Sequence, residues 1–261
     1  MELNKIITGD CLEIMKGMAE NSVDLSVTSP PYDNLRDYKG YTFDFKGIAK
    51  ELYRVTKQGG VVVWVVGDAT INGSESGTSF KQALYFKEIG FNLHDTMIYK
   101  KTKPPLTHNR YEQEFEYMFI FSKGKPKTFN PIMILSKNAG KKRTGTMRQD
   151  GDTLNNRNAN GLVKDTKIAG NVWEITCANG GTKDKVAYGH PAIFPEKLAE
   201  DHILSWSNEG DTILDPMAGS GTTLKMAKKL GRNFIGIEIS FEYIPIIEAR
   251  LDSIKTDNTL F

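Results

Sequence analysis

Hydrophobic positions in this chain switch repeatedly between strand spacing and helical spacing. Lys5–Asp10 predicts a short strand ending in an acid, and Cys11–Met18 follows with Leu12, Ile14, Met15 and Met18 at helical intervals. Val23–Val27 is a second apolar strand that runs straight into Thr28-Ser29-Pro30-Pro31-Tyr32. Phe45–Thr56 predicts a helix with Ile48, Leu52 and Val55 on one side and Gly59-Gly60 as its stop. Val61–Val66 is almost wholly apolar, as a strand covered on both faces should be. Ser79–Ile89 predicts another helix, and Asn92–Tyr99 and Phe115–Phe121 predict strands.

The rhythm lapses between Lys123 and Lys185, a stretch rich in Asn, Gly, Thr and Lys. A structureless loop of that length is uncommon inside a compact domain, so the stretch is expected to be an insertion with irregular structure of its own. Order resumes with a helix over Pro195–Trp206, where Leu198, Ala199, Ile203 and Leu204 should face inward. Thr212–Asp215 predicts a strand, Thr222–Leu230 a helix closed by Gly231, Asn233–Ile239 a strand and Phe241–Ile254 a final helix. Alternating strands and helices predict an α/β fold with an open sheet, not a sandwich or a bundle.

Composition narrows the field. With 39% hydrophobic and 10% aromatic residues in 261, the chain can build an ordinary core, which argues against global disorder. No apolar run approaches the roughly 20 residues needed to span a bilayer. The start, Met-Glu-Leu-Asn-Lys, lacks a basic-then-apolar signal pattern, so a cytoplasmic protein without membrane partners is expected. Cys11 and Cys177 form neither a disulfide framework nor a metal spacing, and His94, His108, His190 and His202 show none either. No metal is expected. The net charge of +2 hides an asymmetry: residues 123–185 carry thirteen Lys or Arg against five Asp or Glu, a local +8 that leaves −6 for the remainder. That segment suits a polyanion.

Two motifs carry the chemistry. Asp215-Pro216-Met217-Ala218-Gly219-Ser220-Gly221-Thr222-Thr223 follows a predicted strand and opens a predicted helix, the context in which glycines let a backbone approach a ligand closely. The next strand ends in Glu238, where a carboxylate can accept two ribose hydroxyls. The spacing is neither Gly-x-Gly-x-x-Gly nor a phosphate loop, which disfavours a nicotinamide dinucleotide and a nucleoside triphosphate. In Ser29-Pro30-Pro31-Tyr32, two prolines fix two φ angles and remove two N–H donors, leaving carbonyls with little competition. Ser29 adds a hydroxyl, and Tyr32 a ring on which a base can stack. Those parts suit gripping an exocyclic amino group and turning its lone pair out of conjugation, so that nitrogen can attack an electrophilic methyl group.

These motifs resemble the amino-methylating DNA methyltransferases, which make N4-methylcytosine or N6-methyladenine. The catalytic motif precedes the cofactor motif here, as in the permuted beta class of that family, and the resemblance covers nearly the whole chain. It implies a Rossmann-like fold that binds S-adenosylmethionine, with residues 1–122 as the catalytic half, 123–187 as a target-recognition insertion and 188–261 as the cofactor-binding half. It also implies that Ser29, Pro30, Pro31 and Tyr32 are catalytic and that Asp215, Ala218, Gly219, Gly221, Thr222 and Glu238 hold the cofactor. Asp10 resembles the acid that binds the cofactor's adenine. His190-Pro191-Ala192-Ile193-Phe194-Pro195 resembles the segment closing over the methionine end, with Phe194 against the cofactor. Met217 departs from the family's usual Phe.

Lys141, Lys142, Arg143, Arg148 and Arg157 would then contact double-stranded DNA, and a cognate restriction endonuclease would be a natural partner. Thr-Ser-Pro-Pro-Tyr is similar to the cytosine-N4 group, so cytosine N4 is favoured over adenine N6. An RNA or protein-amide methyltransferase and a non-catalytic DNA-binding module are the remaining alternatives.

Overall fold

The computed structural model describes residues 2–31, 43–102, 110–142, 161–176, 184–190 and 193–254, with the backbone alone at 147–148 and 154–155. It divides into two compact units, one comprising Met1–Asn130 with Asn171–Phe261 and the other Pro131–Gly170.

The larger unit begins with β1 (Lys5–Thr8), α1 (Cys11–Lys16), β2 (Val23–Thr28), α2 (Phe45–Val55) and β3 (Thr56–Val66). A hairpin of β4 (Thr70–Ile71) and β5 (Ser74–Glu75) turns at Asn72-Gly73, both in the left-handed region that such a turn requires. Then come α3 (Thr78–Glu88), β6 (Asn92–Lys101) and β7 (Phe115–Ser122). The smaller unit supplies β8 (Met133–Leu135), β9 (Met147–Arg148), β10 (Leu154–Asn155) and β11 (Thr166–Ile168). The chain returns through β12 (Val172–Ile175), α4 (Glu196–Trp206), β13 (Thr212–Asp215), α5 (Thr222–Lys229), β14 (Asn233–Glu238) and α6 (Ile244–Asp252).

Among the described residues, eight strands form one sheet in the order β1-β14-β13-β2-β3-β7-β6-β12. Every pairing is parallel except those of β7 with β3 and with β6. The expected α/β architecture is present. Alternation in β3 sorts side chains between two cores: Val61, Val63 and Val65 pack with Leu198, Ile203 and Leu224, while Val62, Trp64 and Val66 pack with Met15, Leu52 and Phe86. Helices α4 and α5 therefore cover one face, and α1, α2 and α3 the other. Trp64 is fully buried, with its indole N–H on Gln82 Oε1 at 2.8 Å, as its apolar strand implies.

Several local expectations change. Gly59-Gly60 does not stop α2: that helix ends at Val55, and the glycines lie inside β3, where the register against β2 slips between Val23 and Leu25. Leu204 is exposed, because it points away from the face that buries Leu198 and Ile203. Phe241–Ile254 is a 3-10 turn over Phe241–Tyr243 followed by α6, with Pro245 in the first helical turn, where its missing N–H costs nothing. Residues 171–175, assigned from the sequence to the insertion, join the main sheet because β12 pairs with β6. Within the smaller unit, β8 pairs with β11 and β9 with β10, both antiparallel.

Candidate active site

Strands β1, β14, β13 and β2 run parallel side by side, so the segments leaving their C-terminal ends emerge along one edge. In order these are Asp10, Glu238, the Asp215–Thr223 turn and Ser29-Pro30-Pro31. From β13 the chain goes through α5 to β14 on one side, while β2 on the other side belongs to the opposite end of the sequence. Beyond the strand ends at such a divergence is the place where open α/β sheets bind ligands.

Hydrogen bonds join the two motifs directly. Thr28 Oγ1 donates to Asp215 Oδ1 at 2.8 Å, and Thr223 Oγ1 donates to the Val27 carbonyl at 3.1 Å. Asp215 also accepts the Met217 N–H at 3.2 Å. On the far side of the turn, Glu238 accepts the Gly219 N–H at 2.7 Å and the Ser240 N–H at 2.9 Å. Gly219 and Gly221 have φ of 52° and 75°, a region that favours glycine. A Cβ at Gly221 would lie 2.6 Å from Ile247 Cγ2, and one at Gly219 would lie 3.1 Å from the His190 ring. His190 in turn packs edge-on against Tyr243, with centroids 4.4 Å apart.

Burial dominates the electrostatics. It pushes the Asp215 carboxyl up to about 6, against the lowering effect of the Thr28 hydrogen bond. Glu238 is raised for the same reason, despite its backbone N–H partners. Burial and the Asp10 charge drive the Cys11 thiol up to about 12, consistent with an inert packing residue. Beneath the turn lies a quartet of Asp184, Glu196, Lys225 and Arg250. Burial alone would raise both acids, but Lys225 and Arg250 hold them below the ordinary range.

Among the residues assigned from sequence, Ser29, Pro30, Pro31, Asp10, Asp215, Ala218, Gly219, Gly221, Thr222 and Glu238 all lie on or just beyond this edge. Asp10 caps α1, accepting the Glu13 N–H at 3.1 Å. The Thr222 hydroxyl faces inward to Arg250 at 2.9 Å. Phe194 is half-buried against the core cluster that contains Ala218 and Leu224. Tyr32, Arg143 and Arg157 lie outside the described residues, as do His108, Cys177, Pro191 and Ala192, and nothing is described of the Arg148 side chain. Lys141 and Lys142 are exposed on the smaller unit.

Sequence reasoning quotes Thr28 within the motif but gives it no role, and it passes over Lys225 and Arg250. Thr28 stands next to a recognised motif, which is a usable signal. Arg250 gives none, since an Arg in the last turn of a helix is an ordinary surface residue by pattern. Among the described residues, no group of His, Cys, Asp and Glu is arranged to hold a metal.

A mostly parallel sheet with a glycine turn and two acids at its strand ends defines an α/β protein suited to a nucleoside-bearing cofactor. The chain belongs to the DNA methylase family of N6 and N4 methyltransferases, whose family profile matches residues 23–249. It is 58% identical over 245 residues to the orphan methyltransferase M.BamHII of Bacillus amyloliquefaciens, covering 90% of this chain and 91% of that one. The type II methyltransferase M.BglII of Bacillus subtilis is 29% identical, covering 99% of this chain and 72% of its own length.

Among solved structures, the cytosine-N4-specific PvuII DNA methyltransferase superposes with a TM-score of 0.71 at 21% identity, covering 100% of this chain and 89% of that one. The Thermus thermophilus protein TTHA0409, complexed with S-adenosyl-L-methionine, gives 0.65 at 24% identity, covering 95% and 93%. At these identities the two structures speak for the fold.

Proposed function

We propose that this DNA methyltransferase, whose cofactor is S-adenosylmethionine, methylates N4 of a cytosine flipped out of double-stranded DNA. The observation that carries the proposal is the Thr28–Asp215 hydrogen bond of 2.8 Å, which ties the proline corner to the glycine turn at one sheet edge. A base nitrogen gripped by one corner can then meet a methyl group presented from the other. What supports the cofactor reading of these residues is that acids end both β13 and β14, with the glycine turn leaving the first of them.

The target base must leave the stack, because its amino group is otherwise paired. The Ser29 hydroxyl and the Pro30 carbonyl accept the two amino hydrogens and hold the nitrogen lone pair outward, and the Tyr32 ring stacks on the base. S-adenosylmethionine, when bound, would supply an electrophilic methyl carbon whose bond to sulfur is exchanged for one to nitrogen, the thioether leaving and one amino proton passing to solvent. Serine at the head of the motif favours cytosine over adenine.

The test is to incubate duplex DNA with enzyme and S-adenosylmethionine, digest it to nucleosides and weigh the products. N4-methyldeoxycytidine is the expected product. N6-methyldeoxyadenosine would replace the base assignment, and no methylated nucleoside would remove the reading. Ser29→Ala should reduce turnover at least ~100-fold, on the order seen for lost acid–base or polarising groups, while leaving cofactor affinity near wild type.

A further inference from the structure

Arg250 is fully buried on α6, yet its guanidinium serves three separate segments. Nη1 donates to the Ser220 carbonyl at 2.6 Å, to Ser220 Oγ at 3.0 Å and to Thr222 Oγ1 at 2.9 Å. Nε reaches Asp184 Oδ2 at 2.9 Å, and Nη2 reaches Glu196 Oε1 at 2.9 Å. Lys225 Nζ meets the same two carboxylates at 2.9 and 2.8 Å, so two cations face two anions.

Stability alone is a poor reason for such a cluster, because buried ion pairs can often be replaced by apolar groups without loss. Geometry offers a better one. Glycines at positions 219 and 221 permit the tight turn but make it costly in entropy to hold in one shape. The three Nη1 contacts fall on Ser220 and Thr222, which alternate with those glycines. Asp184 opens the Lys185–Gly189 turn that delivers His190 onto Gly219. One planar group thus grips the turn from beneath and anchors the strap lying against it.

We infer that Arg250 is a positioning residue that fixes the Gly219–Thr222 turn and the 184–190 strap in their cofactor-binding shape. The inference rests on the cofactor reading of this turn. A lysine at 250 would keep the charge but lose the fork, and a point charge cannot hold three segments at once.

The test compares wild type, Arg250→Lys, Lys225→Gln and the milder Asp184→Asn. Hydrogen exchange at residues 219–223 and 185–190 without cofactor, calorimetric affinity for S-adenosylmethionine and kcat at saturating cofactor are measured for each. Arg250→Lys should speed exchange in the turn and weaken cofactor binding tenfold or more, with kcat at saturation within about threefold. Asp184→Asn, which spares the turn contacts, should weaken binding less. Lys225→Gln perturbs the same charge cluster without touching Ser220 or Thr222, and should leave exchange in the turn unchanged. Unchanged turn exchange in Arg250→Lys overturns the inference, as does equal exchange in the Arg250 and Lys225 variants. Wild-type protein that fails to bind S-adenosylmethionine overturns the cofactor reading instead, and the exchange result still decides the role of Arg250. Should Arg250→Lys not fold, Asp184→Asn carries the test alone: affinity and exchange at residues 185–190 both equal to wild type would overturn the inference.

Discussion

Asp215 is only 5% exposed, and its carboxyl is carried from the ordinary 3.8 to about 6. The groups facing it are the Thr28 and Thr223 hydroxyls, the Met217 N–H and, repulsively, Glu238. A raised carboxyl binds its proton more tightly in the folded state, so its contribution to stability is largest below about 4 and is lost as pH rises through about 6. A shift of this size corresponds to about 3 kcal/mol at neutral pH. Asp215→Asn should therefore match wild-type stability near pH 4 and exceed it by about 2–3 kcal/mol at pH 8, measured by denaturant unfolding. Cofactor affinity should fall in the same variant. A gain equal at every pH would mean that ionisation of Asp215 is not its source. A site that sacrifices stability for a buried charge is the usual trade between the two demands.

Among the elements, β3 shows how local sequence and tertiary context divide the work. Its register slip against β2 brings Gly60 so close to its neighbours that an added Cβ would lie 2.8 Å from Thr56 Cγ2 and 2.9 Å from the carbonyls of Asp24 and Lys57. Two of those neighbours are backbone and cannot swing aside. Gly60→Ala should cost about 1–3 kcal/mol, the range for overpacking a well-filled site, and lower the denaturation midpoint without changing the slope. An unchanged midpoint would show that the slip relaxes freely.

A Gly-Gly pair after a helical pattern resembles a stop signal, and only the partner strand reveals it as an irregularity within a strand. The 3-10 turn before α6 is missed in a similar way: Phe241–Ile254 keeps helical spacing across Pro245, although a proline there announces a helix start. Conversely, the apolar runs ending in Thr28 and Asp215 are plain in the sequence, because strands buried on both faces need continuous hydrophobic residues. Both motifs were legible for that reason. Their hydrogen bond joins residues 187 positions apart, and the quartet around Arg250 draws on four distant segments. Such links arise from packing and leave no periodic trace.

At the scale of the whole molecule, the uneven charge bears on how duplex DNA is held. On the described part of the smaller unit, Lys137, Lys141, Lys142, Lys164 and Lys167 are all exposed, with Asp165 as the acid among them. If these lysines neutralise phosphates, each releases condensed counterions, and the logarithm of affinity falls against the logarithm of salt by about 0.9 per contact. Replacing Lys141, Lys142, Lys164 and Lys167 with Gln should therefore flatten that slope by about 2–4, in anisotropy titrations between low and moderate salt. The loss should be similar for DNA of any sequence, since phosphate contacts position the duplex without reading it. Kcat at saturating DNA should stay near wild type, because excess DNA makes good a loss of phosphate contacts that set affinity alone. An unchanged slope would place the DNA-binding charge elsewhere on the chain. A loss confined to one sequence would make these lysines base readers, with the specificity of methylation carried by the smaller unit.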